Sequence, residues 1–385
     1  MHASEPSAPA NVWIFQPTVE HYRAPIFDAV RVLADGRYDL QIFGPLVDGA
    51  GTGGVRRPWF NHQPYVTRAV AGQTVSWWPG AEARVSRGQP DVLIVGASPR
   101  CLSAWRLPSV CRKVGTVPVC WSKVHSFSGL PGFVTGASKW GLYRQYARAI
   151  VYGDASRAEL MQLGFAEDRI HVAHNTIDTD RIFTDGDAIA ARGQRLLEEA
   201  GLEGRKAIVC VGRMFTDKRQ GDLLAAWPAL KAIDPTLALV LVGGGPDLEL
   251  RRSQAQVLDP EGRDIIVTGR VPEGDDYAWL SAAHMAIFPG AVGLSINQSM
   301  AFGTPTIIAD ERGADAEIVR HEETGWRYRR GDVPALVDVV ARVCADDEGR
   351  QRVSARGRQL MRDDITLDQM ARALDSAISA ALAQR

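Results

Sequence analysis

Residues 206–246 read KAIVCVGRMFTDKRQGDLLAAWPALKAIDPTLALVLVGGGP. The run KAIVCVGRM is apolar until Gly212. KRQGDLLAAWPALKAI (218–233) places apolar residues at helical spacing, and LALVLVGGGP (237–246) is a second apolar run closing on three glycines. Short apolar runs bounded by turn residues suit strands buried on both faces. A helix between two such strands makes them parallel neighbours, so this stretch predicts one β-α-β unit.

The same alternation extends in both directions. Downstream lie LELRRSQAQVL (248–258), a helix, then the apolar runs DIIVTGRV, AHMAIFPG and TPTIIAD (264–271, 283–290 and 304–310). Upstream, NVWIFQP (11–17), YDLQIFGP (38–45), DVLIVGAS (91–98) and VPVCWSKV (117–124) read as strands, with APIFDAVRVLAD (24–35) as the first helix. ARAIVYGDASRAELMQLG (147–164) reads as strand, turn and helix, and IHVAHNTID (170–178) as one more strand-like run. The Gly-rich stretch VDGAGTGGVRRPW (47–59) reads as a loop. The residues after 180 read as a polar linker, and the first ten as disordered. The fold class expected is α/β: two doubly wound, Rossmann-like domains, an N-terminal one over 11–180 and a C-terminal one over 205–365, facing each other across a cleft. A ligand site is expected in that cleft.

The length of 385 residues suits two domains rather than one core. With 45% hydrophobic and 23% charged residues and a net charge of -1, the composition is globular and marks no nucleic-acid partner. The five cysteines are scattered, with no C-x-x-C, which predicts free thiols in a cytoplasmic protein. The start MHASEPSAPA does not read as a signal peptide, and no apolar stretch reaches bilayer length. No P-loop occurs, and GGGP lacks the G-x-G-x-x-G spacing.

Four segments between about Lys206 and Gly331 resemble the family-four, retaining GT-B glycosyltransferases (group 1). They are VGRMFTDKRQG, LVGGGPDLELRR, VTGRVPEGDDYAWLSAAHMAIFPG and VGLSINQSMAFGTPTII, in the family's order. HYRAPIFDAV and AELMQLGFAEDRIHVAHNTIDTDRI match more loosely in the first half. The resemblance implies a GT-B fold in which the last helix (366–385) crosses back to the N-terminal domain. It also implies transfer of a sugar from a nucleotide-diphosphate donor to an acceptor hydroxyl, in glycan, polysaccharide or glycoconjugate biosynthesis. No metal or cofactor is implied.

The resemblance assigns Arg213 and Lys218 to the donor diphosphate, beside Gly212. Negative charge grows on that leaving group, so fixed cations there stabilise the transition state most. Gly290 and Gly293 let the backbone approach a ligand. The N–H groups near Val292, Gly293, Leu294 and Ser295 open a helix that favours an anion. The family's two glutamates, eight positions apart, fall here on Gly290 and Gln298. Gln298 keeps an acceptor and two donors for a ribose, whereas Gly290 offers no side chain. For the acceptor side, Lys123 and His125 in KVHSFSG stand near the family's histidine. His21, Tyr22 and Arg23 stand where the first strand meets its helix. Arg219 is expected to face solvent. DTD at Asp178–Asp180 reads as turn chemistry rather than a metal motif, and His171 with His174 makes a weak zinc pair. SKWGLYRQYAR, with Trp140, Tyr143 and Tyr146 among Lys139, Arg144 and Arg148, reads either as an ordinary amphipathic helix or as a membrane-surface contact for a lipid-linked acceptor. A small-molecule or glycan acceptor stays open. So do two other functions: an epimerase or hydrolase of the same fold, and a binding protein without activity, which the missing glutamate favours.

Overall fold

The computed structural model describes residues 8–46, 57–70, 73–124, 132–291, 293–310 and 317–385. It divides into two compact units, Met1–Asn175 with Leu367–Arg385, and Thr176–Thr366.

In the first unit β1 (Ala10–Phe15), α1 (Ala24–Ala34) and β2 (Tyr38–Gly44) lead to β3 (Phe60–His62) and a hairpin of β4 (Val66–Val70) and β5 (Gln73–Trp77). Then come α2 (Ala81–Gly88), β6 (Val92–Gly96), α3 (Leu102–Val114), β7 (Val117–Ser122) and α4 (Gly132–Tyr143). The run ends with β8 (Arg148–Val151), α5 (Asp154–Gln162) and β9 (Ile170–Val172). The parallel sheet has the order β3-β2-β1-β6-β7-β8-β9. β6 is buried from Val92 to Val95, as expected of a strand covered by helices on both faces.

The second unit opens with α6 (Asp180–Thr184) and α7 (Gly186–Glu199), then β10 (Lys206–Val211), α8 (Gln220–Ile233), β11 (Leu237–Val242), α9 (Leu248–Leu258) and β12 (Ile265–Gly269). α10 (Asp275–Ser281), β13 (Met285–Phe288), α11 (Ser295–Phe302), β14 (Thr306–Ala309), β15 (Trp326–Tyr328), α12 (Val333–Ala345) and α13 (Asp347–Asp363) follow. Its sheet runs β12-β11-β10-β13-β14-β15. The order reverses between β10 and β13, the doubly wound arrangement whose ligand crevice opens at the carboxyl ends of those two strands. Their register holds only at Ile208↔Met285 and Val209↔Ala286, short of either carboxyl end.

The last helix, α14 (Leu367–Leu382), belongs to the first unit. It buries Met370, Leu374 and Ile378 in the cluster that holds Ile26, Phe27 and Val30 of α1. Tyr38 donates its hydroxyl to Asp375 at 2.6 Å, Arg37 adds a 2.8 Å bond, and Arg385 pairs with Asp91.

Local readings fail in three places. Residues after 180 are not a linker: α7 presents Gly193 so closely to α10 that a Cβ would strike the Ala282 methyl at 2.8 Å. The strands β4 and β5 carry no strand signal in the sequence, because β4 and much of β5 are exposed and have no buried apolar run, and β3 is only three residues long. IHVAHNTID pairs only over Ile170–Val172. SKWGLYRQYAR follows the inward-packing reading for two of its aromatics: the helix stops at Tyr143, Tyr143 and Tyr146 are buried, and Lys139 is ion-paired to Glu159 at 2.6 Å. Trp140 stays 47% exposed, with the Arg144 guanidinium 4.0 Å over its ring.

Candidate functional site

Three loops leave the carboxyl edge of the second sheet and interlock because glycines let their backbones touch. Gly212 N–H donates to Val242 O at 2.9 Å, and Met214 N–H to Gly244 O at 2.8 Å. Gly245 has φ +154, and a Cβ there would lie 2.8 Å from Met214 N. Gly243 and Gly245 are therefore needed to seat the loop after β11 under the loop after β10.

The loop after β10 carries both predicted cations. Arg213 is exposed and stacks its guanidinium 4.6 Å from the Phe215 ring centroid. Among the described residues its guanidinium has no hydrogen bond and no ion pair. Its backbone is fixed by Gln220, the first residue of α8, which donates Nε2 to Arg213 O at 3.1 Å. Arg213 thus has an anchored base and an unengaged head, the state that suits a planar donor fork waiting for phosphate oxygens.

Lys218 ends the one-turn helix Thr216–Lys218. It is half-buried, and its Nζ donates to Ala291 O at 2.5 Å. Ala291 N–H returns a bond to Asp217 O at 2.9 Å, and Arg330 donates to that same carbonyl at 3.2 Å. An ammonium has three donors, so two remain once Ala291 is served. Arg219, expected to face solvent, instead forks onto Asp222 at 2.7 and 3.1 Å and covers Gly331. Its φ of +54 closes the turn and directs the chain into α8.

Gly290 makes room for a neighbouring loop. The space a side chain would fill is taken by the Asp217–Lys218 backbone; a Cβ would sit 2.6 Å from the Lys218 carbonyl carbon. By contrast, nothing lies within 4 Å of a Cβ built on Gly212 or Gly293. α11 starts at Ser295 without a side-chain cap. Among the described residues no acceptor takes the N–H of Gly293, Leu294 or Ser295, so these point to an anion or a water. Val292 lies outside the described residues.

Gln298 is 8% exposed on α11. Its side chain hydrogen-bonds Asp276 and Tyr277 of α10. A carboxylate can only accept, so Asp276 fixes the amide with Nε2 inward. Gln298 Oε1 is then buried with no partner, an acceptor awaiting a donor. Burial pushes the Asp276 carboxyl up, against the hydrogen bonds from its helix N–H groups and from Gln298. Asp276 and Tyr277 carry no motif in the sequence; only the packing of α10 on α11 brings them to Gln298.

In the first unit the acceptor-side candidates are spread out. Tyr22 and Arg23 form the short turn before α1. Arg23 donates to Asn175 at 3.2 Å and lies 6.0 Å over the Tyr152 ring, and burial raises the Tyr22 hydroxyl. His21 starts that turn, and its side chain is outside the described residues. Lys123 is exposed just after β7, and His125 lies outside the described residues. His171 meets Arg148 at 3.3 Å, and burial lowers its basicity. No group of three or more His, Cys, Asp and Glu that could hold a metal occurs among the described residues. All five cysteines are free, and burial pushes the Cys111, Cys120 and Cys210 thiols up to about 12, so none of the three is a nucleophile at neutral pH. No helix among the described residues is long and apolar enough to cross a membrane.

Comparison with known proteins covers both units. Residues 26–181 match the family model "Glycosyltransferase Family 4", and residues 195–360 match "Glycosyl transferases group 1". The chain is 30% identical over 198 residues to a GDP-mannose-dependent alpha-(1-6)-phosphatidylinositol monomannoside mannosyltransferase of Mycolicibacterium smegmatis; the match covers 49% of this chain and 50% of that relative, about half its length. With the Mycobacterium tuberculosis protein of the same name it is 28% identical over 292 residues, covering 73% of this chain and 70% of that one. Among solved structures, Anabaena Alr3699/HepE in complex with UDP superposes with a TM-score of 0.72 at 14% identity, covering 96% of this chain and all of the other. At that identity the likeness shows the fold, which is GT-B.

Proposed function

The chain belongs to the family-four, group 1 glycosyltransferases, and on that premise we propose that it moves a sugar from a nucleotide-diphosphate donor to an acceptor hydroxyl, retaining the anomeric configuration. The reading is carried by Arg213: an anchored, unengaged guanidinium at the carboxyl edge of the second sheet, beside the switch point. When the bond from anomeric carbon to phosphate breaks, charge collects on the β-phosphate. Arg213, the two free donors of Lys218 and the N–H groups at the start of α11 supply fixed positive potential there without reorganisation. A cation set of this kind replaces a divalent metal, so turnover proceeds without one.

Gly290 offers no group to attack the sugar. The acceptor hydroxyl then attacks on the face from which the diphosphate leaves, and the departing phosphate oxygen takes its proton. Gln298 Oε1 accepts from a ribose hydroxyl. The named activity of the mycobacterial relatives and the UDP in the Anabaena structure support a nucleotide-sugar donor and place GDP-mannose and UDP-glucose first among those to try. For a lipid-linked acceptor at the inner membrane face, we assign the surface contact to Trp140 and Arg144.

The test is a thermal-shift screen of nucleotide sugars in EDTA, followed by product analysis with the best donor. Stabilisation by one donor and glycosyl transfer in EDTA are expected. No stabilisation by any of them would refute the donor reading, and activity recovered only on adding a metal would refute metal independence. Tight binding without transfer to any acceptor would instead favour the binding protein.

A further inference from the structure

A pocket of about 400 Å³ in the first unit belongs to none of the residues assigned above. Its lining includes Trp77, Trp78, Glu82, Leu102, Ser103 and Arg106. We propose that this pocket is a saccharide subsite that holds one pyranose ring of the acceptor; the inference rests on the glycosyl-transfer reading and names the acceptor class.

Its position follows from the topology. α2 and α3 flank β6, and their first turns both lie at the carboxyl edge of the first sheet, where open α/β sheets bind ligands. β5 is stitched to the same edge, since Ser76 N–H donates to Arg100 O at 2.9 Å and Ser76 bridges to Cys101. The walls are rigid. Trp78 is fully buried, with Phe15 at 6.0 Å and Tyr65 at 5.0 Å between centroids. Ser103 Oγ accepts from Trp78 N–H at 3.1 Å, pinning α3 to the end of β5.

The chemistry of the lining selects the ligand. Trp77 is half-buried and offers an indole face. Glu82 and Arg106 stand on the two helices with opposite charges, yet neither makes a hydrogen bond or an ion pair among the described residues. A carboxylate accepts from hydroxyls and a guanidinium donates to them, and the two charges cancel. A neutral, hydroxyl-rich ring with an apolar C–H face matches all three groups, whereas a phosphate would be repelled by Glu82 and an aliphatic chain would leave both charges desolvated.

The experiment is saturation-transfer NMR on the full chain, without nucleotide, using the methyl α-pyranosides of mannose, glucose, galactose and N-acetylglucosamine at millimolar concentration. At least one pyranoside is expected to show transfer to its ring protons. That signal should fall at least about fivefold in Trp77→Ala, Glu82→Gln and Arg106→Ala and persist in Trp77→Phe, which keeps an aromatic face. No signal from any of the four, or a signal unchanged in the three variants, overturns the subsite. Nucleoside-diphosphate affinity, measured by calorimetry on the same variants, should stay at the wild-type level. Its absence in the wild type would sink the donor reading instead, so the two failures are told apart.

Discussion

Ala291 and Lys218 are tied to each other across the switch point of the second sheet: the Lys218 ammonium donates to the Ala291 carbonyl at 2.5 Å, while Ala291 N–H holds the neighbouring Asp217 carbonyl at 2.9 Å. The loops after β10 and β13 therefore act as one piece, and the glycine at 290 is what lets them close. The backbone of Asp217 and Lys218 occupies the place that a side chain at position 290 would take.

Gly290→Ala should accordingly damage the donor site rather than restore it. Its Cβ meets backbone that cannot swing away, and overpacking of this kind costs about 1–3 kcal/mol. A lowered thermal midpoint and weaker nucleoside-diphosphate binding are expected. A variant with the wild-type midpoint and affinity would show that the two loops are not coupled.

Arg213→Ala and Lys218→Ala should each weaken nucleoside-diphosphate binding by roughly tenfold to a hundredfold, the range for losing a charge-assisted hydrogen bond. Arg213→Lys should recover only part of this, because a point charge cannot fork onto two oxygens. Titration calorimetry reads both; unchanged affinity in the two alanine variants would remove the diphosphate from this loop.

Gln298→Glu places a second carboxylate against Asp276, whose own carboxyl is already pushed up by burial. Like charges then share a proton, raising the pair further above the unfolded value. A group that binds its proton more tightly when folded favours the fold at low pH, so this variant should lose stability relative to wild type as pH rises through the pair's raised folded pKa. Urea melts at a series of pH values check it. Gln298→Ala should also erase any preference for ribose over deoxyribose nucleotides.

His284 gives a pH dependence of the opposite sign. Burial first, then Arg350 and Lys206, pulls its pKa down to about 4 from 6.5. The unfolded chain binds this proton more readily, so its contribution is fully present above about 6.5 and is lost as pH falls toward 4. Over that window the shift corresponds to at most about 3 kcal/mol, and to less once solvent screening at this half-buried site is counted. His284→Gln should flatten the wild-type acid slope; an identical slope in the variant would exclude His284 as its source.

Much of this protein is written locally. The apolar run Leu237–Val242 is buried at every position and could only be an interior strand, and the loop after β10 does carry the cations Arg213 and Lys218, whose assignment to a diphosphate rests on the resemblance. Other features are settled by partners distant in the chain. Gly290 reads as open space for a ligand until Asp217 and Lys218, 73 and 72 positions earlier, are seen filling it. Asp276 and Tyr277 carry no signal until α10 packs on α11 and they meet Gln298. Glu82 and Arg106 are unremarkable surface charges until α2 and α3 set them around Trp77. Periodicity and turn residues act over a few positions and so fix the buried strands, most of the helices between them and the α/β class by themselves, but not exposed strands such as β4 or the helices α6 and α7. Which polar groups end up buried, paired or left waiting depends on contacts between loops that only the assembled sheets bring together, and that decision belongs to the tertiary structure.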